Sequence, residues 1–133
     1  MTILNVSDII NLWVENKLNL SQIKNDVFTK PDGDAVILRY DPAASAERRF
    51  NDGTRLIKWN LTYYVRNKDR EKARQIADKI TKLLDGESIT DTKSGVKIDV
   101  EALTLPQFIS TDEKNNTIYS AGITASYLDP RDE

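Results

Sequence analysis

The sequence contains no cysteine and no histidine. Without cysteine there are no disulfides, thiolate zinc sites, iron–sulfur clusters or thiol nucleophiles, and the chain suits a reducing cytoplasm. Without histidine it lacks the usual general base near neutral pH and the commonest metal ligand, so Ser-His-Asp chemistry and His-based metal sites are excluded. Long apolar runs are missing too. Stretches such as Ala35 to Leu38 span a few residues only, far short of a membrane crossing. Met1 to Ile10 has no basic region ahead of its apolar residues, so a signal peptide is not expected. Neither sign of charge dominates: 19 basic against 21 acidic residues leave a net charge of −2, which predicts no general attraction to nucleic acid or anionic lipid.

What is present is a globular balance, 39% hydrophobic and 30% charged over 133 residues. This is the size of one domain, 1–133, with no internal repeat or low-complexity linker. Ile9, Ile10, Trp13 and Val14 share one helical face, predicting a helix over Ser7 to Asn16 with Ser7 as N-cap, Asp8 in the first turn and Val6 as a staple. A short strand is expected near Gln22 to Phe28, then the turn Pro31-Asp32-Gly33-Asp34. Val36, Ile37 and Leu38 mark Ala35 to Tyr40 as a strand covered on both faces, with Asp41-Pro42 ending it. Ala43 to Asp52 reads as a long loop.

From Thr54 to Asn67, Ile57, Trp59, Leu61, Tyr63 and Val65 alternate with polar residues, the period-two pattern of a half-buried strand. At ~3.3 Å per residue it reaches roughly 40 Å, beyond the diameter of about 36 Å expected for a domain this size. It should bend or protrude as an arm with Asn51-Asp52-Gly53 at its base. Lys68 to Asp85 is predicted helical, capped by Asn67 and closed by Gly86, burying Ala73, Ile76, Ala77, Ile80, Leu83 and Leu84. Ile89 to Gly95 reads as a loop, and Val96 to Ser110 as one or two strands interrupted by Pro106. Asp112 to Asn116 is a hairpin turn, and Thr117 to Leu128 a last strand. The order α-β-β-α-β-β predicts an α+β fold: a mixed sheet of about four to five strands, a right-handed crossover, and both helices on one face.

No constellation for chemistry emerges. Asp32, Asp34 and Asp41 lack the twelve-residue calcium-loop pattern and read as turn residues. P-loop, GxGxxG and GxSxG motifs are missing, and Glu101 and Asp99 sit in no recognisable catalytic arrangement. No catalytic residue, metal or cofactor is expected. Trp59, Tyr63 and Tyr64 are base-stacking residue types, but Trp59 and Tyr63 lie on the apolar face and read as core. Lys68, Arg70, Lys72 and Arg74 interleave with Asp69 and Glu71 and read as a solvated helix surface. Glu47, Arg48 and Arg49, followed by Phe50, have two open readings: a solvated loop, or a subunit interface with an ion-pair or phosphate contact.

Taken together, the helix Val6 to Asn16, the strand Gly33 to Tyr40, the strand Trp59 to Arg66 running into the helix Asp69 to Leu84, and the closing hairpin Leu105-Pro106-Gln107-Phe108 with Tyr119 to Tyr127 resemble the small minor capsid proteins of long-tailed phages that act as tail terminators. The resemblance covers nearly the whole chain in element order and carries no catalytic signature. It implies a homohexameric ring on the head-proximal end of the tail tube, partnered by the tube protein and the head connector protein, with DNA passing through without specific binding. No membrane is involved; the implied location is the neck of the virion, and the host cytoplasm during assembly. The alternatives are a head–tail connector or stopper, a tube subunit, and a small non-phage ligand-binding domain.

Overall fold

The computed structural model describes residues 5–20, 23–29, 32–50 and 53–129, with backbone alone at 42–49 and 129. In chain order these form α1 (Val6–Leu18), β1 (Lys24–Asn25), β2 (Ala35–Arg49), β3 (Arg55–Asn67), α2 (Arg70–Leu84), β4 (Glu87–Thr90), β5 (Lys97–Ala102), β6 (Gln107–Thr111) and β7 (Thr117–Asp129).

The cap of α1 lies two residues before the expected Ser7. The Asn5 side chain accepts the Asp8 N–H at 3.4 Å, and Asn19 closes the helix in the left-handed conformation. Val6 is therefore the first helical residue rather than a staple, and it forms the buried row with Ile10 and Val14 at one residue per turn. α2, by contrast, starts later than predicted. Asp69, not Asn67, caps it, accepting the N–H groups of Glu71 at 3.0 Å and Lys72 at 3.4 Å. Asn67 instead accepts the N–H of Asp69 at 2.9 Å, which turns the chain into the helix. Ala73, Ala77, Ile80 and Leu84 are fully buried. The two alanines let the helix backbone lie close to the sheet, and burying side chains of the size of Ile80 and Leu84 contributes about 1.5–3 kcal/mol each.

The described strands form one seven-stranded mixed sheet in the order β1-β2-β3-β7-β5-β4, with β6 also on β7. The α+β class stands, but the strands outnumber the four to five expected. Two segments read as loops are strand, one lengthening β2 and one forming β4. Ala43 to Arg49 continues β2 past Pro42, with the register shifting between Tyr40 and Ser45. A bulge there absorbs the proline, which cannot serve a regular ladder. Ile89 and Thr90 belong to β4, whose Ile89 pairs with Ile98. Among the described strands β1 is the only parallel neighbour, on β2. Following the antiparallel pairs from β3 through β7 and β5, β4 runs opposite to β3, so the β3–α2–β4 connection is no parallel crossover and the handedness rule does not apply to it.

β5 and β6 lie end to end along one edge of β7. Asp99 to Ala102 faces Ser126 to Ile123, and Gln107 to Thr111 faces Ser120 to Thr117. Both helices pack on the same sheet face. α2 lies over β3 and β7, whereas α1 touches β2 on one side and β4 on the other. Those two strands are four places apart, roughly 19 Å along a flat sheet, and a helix is only about 10 Å wide. The sheet therefore curls around the helices.

Polar bonds fix α1 inside this curl. Asn11, nearly buried, donates to Asn25 Oδ1 at 3.0 Å and accepts the hydroxyl of fully buried Tyr63 at 3.0 Å. The Ser7 N–H donates to the Tyr40 hydroxyl at 3.0 Å. Burial, aided by the charge of Glu15, pushes the Tyr63 phenol well above its ordinary range, so it stays a donor. Tyr63→Phe leaves the Asn11 acceptor buried without this partner. It should lower stability by about 1–3 kcal/mol in urea unfolding, with far-ultraviolet circular dichroism unchanged; an unaltered midpoint would show that the bond contributes nothing.

Candidate functional site

β3 separates into two halves by burial. Leu61, Tyr63 and Val65 are fully buried, whereas Arg55 to Asn60 stay partly exposed or exposed. The outer half is less covered, with Ile57 and Trp59 at the margin of the core opposite the buried Tyr127 and Ala125 of β7. The segment expected as an arm is this end of the β2–β3 hairpin, and its turn stands at the tip rather than the base. There the Phe50 N–H donates to the Thr54 carbonyl at 2.9 Å, and Gly53 takes a φ of +91°, natural for glycine.

The sheet face away from the helices is polar in its middle. Lys58, Ser126 and Asp99 lie in one row across β3, β7 and β5, and Asn60, Thr124 and Glu101 in the next. Ser88 on β4 donates to Asp99 at 2.7 Å. Leu56, Lys97, Asp99, Ser126 and Leu128 line a groove of about 300 Å³ there. The other end of the same face is covered: Arg66 is nearly buried, its Nε donating to the Gly33 carbonyl at 2.8 Å and its guanidinium 4.5 Å from the centre of the Phe28 ring. Ile37 and Leu38 are accordingly both buried on opposite faces of β2, the two-sided cover expected of that strand.

A brace beside Arg66 ties the turn at Asp32-Gly33 to the turn before β7. The buried Asn116 amide donates to Asp32 Oδ1 at 2.6 Å and to Asp112 Oδ2 at 3.0 Å. Asp112 also accepts the backbone N–H groups of Lys114 and Asn116, both at 2.9 Å. The Asn116 amide, the Gly33 N–H and Lys68, 3.4 Å away, hold Asp32 below its ordinary range. The Asn116 N–H and side chain, the Lys114 N–H and Arg66 do the same for Asp112.

The β5–β6 corner is built on Gly122. Leu103 and Thr104 donate their N–H groups to the Gly122 carbonyl at 2.9 and 3.3 Å, and the Gly122 N–H donates to Thr104 Oγ1 at 2.9 Å. A Cβ on Gly122 would stand 2.9 Å from Thr104 Oγ1, so glycine lets the corner close. The segment so anchored turns its apolar residues outward. Leu105 is 77% exposed, Leu103 50%, Ile109 48% and Phe108 45%. Phe108 meets Tyr119 edge-on at 6.0 Å, with the Arg70 guanidinium 4.8 Å from its ring centre.

The residues singled out by sequence do not converge on chemistry. Glu47, Arg48 and Arg49 pair as backbone with Ile57, Leu56 and Arg55; their side chains lie outside the described residues. Phe50, beside the arm's tip, is 41% exposed. Asp32 serves the brace, while Asp41 accepts the Thr62 hydroxyl at 2.8 Å from within β2, where a turn was expected. Among the described residues no group of three acidic side chains could hold a metal ion. Trp59 packs edge-on with Tyr40 at 5.0 Å, and Tyr63 is core. In the basic run, Lys68 pairs with Asp32 and Arg74 with Glu71 at 2.9 Å. Sequence reading missed the exposed corner. Its signal was Leu103-Thr104-Leu105-Pro106-Gln107-Phe108-Ile109, apolar but with neither period two nor period 3.6.

What the structure offers is surfaces: an arm, an uncovered polar face and an apolar edge. The family model described as bacteriophage tail terminator protein matches residues 18–129. The chain belongs to the bacteriophage tail terminator family. Among curated proteins none matches it. A tail terminator is a structural component of the phage tail, hence of the virion, and the match spans every strand and α2. No described helix of this tail terminator is long and apolar enough to cross a membrane.

The brace gives the tail terminator an acid sensitivity of known sign. A carboxylate held low in the folded state stabilises above its unfolded pKa, and that contribution is lost as pH falls through the folded value. Wild type should therefore exceed Asp112→Asn in stability at pH 7, and the gap should close below the ordinary aspartate value of 3.8. Urea unfolding across that range checks it; a gap independent of pH would show that charge plays no part.

Proposed function

We propose that this chain is a single-domain subunit of a ring capping the head-proximal end of the tail tube, a hexamer by its resemblance to the family. The ring stops tube growth and presents its other face to the head connector. The family match over 18–129 carries this reading. Function on this reading is surface complementarity. One ring face fits the last ring of the tube protein, the other fits the connector protein, and subunits assemble in the host cytoplasm before joining the virion. DNA crosses the ring without specific binding. A net charge of −2 supports this, because few phosphate neutralisers let DNA slide without sticking.

The arm is less covered than the inner half of β3, so the subunit can touch a neighbour there without opening its own core. Arg48 and Arg49 in that arm are the interface candidates, with Glu47 and Phe50. Changing both arginines to Glu should weaken ring assembly, read as mass by light scattering after gel filtration, and leave the melting temperature nearly unchanged. Intact rings would remove the arm from the interface.

The role itself is tested by disrupting the gene in a phage that carries it and viewing the lysate by negative-stain electron microscopy. Tubes of irregular or excessive length beside unattached DNA-filled heads are the expected result. Tails of normal length left unattached would indicate a connector or stopper, and normal infectious particles would defeat the assembly reading.

A further inference from the structure

We infer that Asp32-Gly33 is a site of spontaneous backbone modification, in which the Gly33 nitrogen closes on the Asp32 carboxyl carbon and the ring so formed reopens to an isoaspartyl linkage.

Geometry singles out this pair. Asp-Gly occurs at 32–33, 52–53 and 85–86, and Asp52 lies outside the described residues. At 85–86 the nitrogen and the carboxylate are drawn to separate partners. The Gly86 N–H donates to the Val100 carbonyl, and Asp85 Oδ1 accepts the Ala102 N–H, both at 2.9 Å. At 32–33 they are brought together. The Gly33 N–H donates to Asp32 Oδ1 at 2.8 Å. The attacking nitrogen thus already lies against the group it attacks, the arrangement that speeds an intramolecular step. Gly33 takes a φ of +91°, and a Cβ built on it would meet nothing within 4 Å, so the approach is open. The Asp32 side chain is 35% exposed, which admits the water that reopens the ring.

Charge holds the reaction back. An ionised carboxylate is a poor target, so Asp32 must first take a proton from solvent. The bond from the Gly33 nitrogen to Cγ then forms, and one carboxyl oxygen leaves as water with that proton and the Gly33 amide proton. Water next adds to a ring carbonyl. Breaking the bond between the nitrogen and the Asp32 main-chain carbonyl carbon leaves the chain running through Cγ, with no net change of mass. The direct partners of Asp32 oppose the first step: Lys68 ahead of α2 at 3.4 Å, and the Asn116 amide from the turn before β7 at 2.6 Å. Beyond them stand Asp112, on the same Asn116 amide, and Arg66 of β3, on the Gly33 carbonyl, of opposite charge to one another. The brace therefore guards this bond as well as tying two turns. The product lengthens the backbone by one methylene there and undoes the fit of Asp32 to Asn116.

Purified protein held at 37 °C for weeks at pH 5, 6 and 7 tests this, with isoaspartate located by peptide mapping and by methyl transfer from an isoaspartyl methyltransferase. All three pH values lie above the Asp32 pKa, which its partners hold below 3.8, so the neutral fraction and the rate should rise about tenfold per unit of acidification. Lys68→Gln should react several-fold faster than wild type at pH 6, with circular dichroism unchanged. Asp32→Asn keeps the contact and removes the need for the proton, since ammonia leaves instead of water. At pH 7 that variant should gain one dalton on this peptide at least as fast when folded as in urea. A folded variant that reacts more slowly than the unfolded one would show that the contact is unproductive and overturn the inference. Isoaspartate confined to Asp52 or Asp85, or a rate at Asp32 indifferent to pH, would overturn it as well.

Discussion

Thirteen consecutive residue pairs, from Arg55↔Asp129 to Asn67↔Thr117, join β3 to β7, and the rest of the structure is hung on that ladder. The two strands are separated in sequence by all of α2, β4, β5 and β6, so pairing them closes a long loop, an entropic cost offset only once the core between them forms. The register decides which residues make that core. Leu61, Tyr63 and Val65 lie opposite Ile123, Ala121 and Tyr119, all on the helix side. A slip of one residue would send the whole set to the polar face. The same ladder leaves one flank of β3 for β2 and one flank of β7 for β5 and β6, which is how arm and apolar edge come to lie on opposite sides.

The helices are fixed on that ladder by different means. α2 settles by shape, since Ala73 and Ala77 leave room for the large side chains of β3 and β7. α1 is shorter in apolar contact and depends on direction as well. Asn11, Tyr63, Tyr40 and the Ser7 N–H bond in one arrangement only, and each would be costly left unpaired in the interior. Curling of the sheet is what brings β4 within reach of α1, so helix placement and sheet curvature specify one another.

Much of this was legible in the residues, and where it was not the reasons are physical. The period-two pattern of Ile57 to Val65 and the 3.6-period pattern of α2 report one-sided burial, and both elements stand where those patterns put them. β2 beyond Tyr40 was hidden because Pro42 and the small residues after it look like a loop; a bulge tolerates them, and bulges leave no periodic trace. β4 was hidden because it is four residues long with a single buried side chain, Ile89. Helix starts were shifted because Asn5, Ser7, Asn67 and Asp69 are all competent caps, and packing chooses among them. Of the candidate surface, strand length pointed to the outer end of β3, while the apolar corner was not read: Val96 to Ser110 looked like one or two strands around Pro106, and it is the exposure of Leu103, Leu105, Phe108 and Ile109 that shows the segment turned outward.

An exposed apolar segment on an unguarded strand edge is a liability for a chain meant to remain alone, because any extended partner can add to it. The cost is tolerable when a specific partner is always at hand. A head-to-tail contact with a fixed turn either closes or spirals. On the proposed ring reading closure is required, so the curvature set by α1 and α2 inside the sheet would bear on function by setting the angle between neighbouring copies.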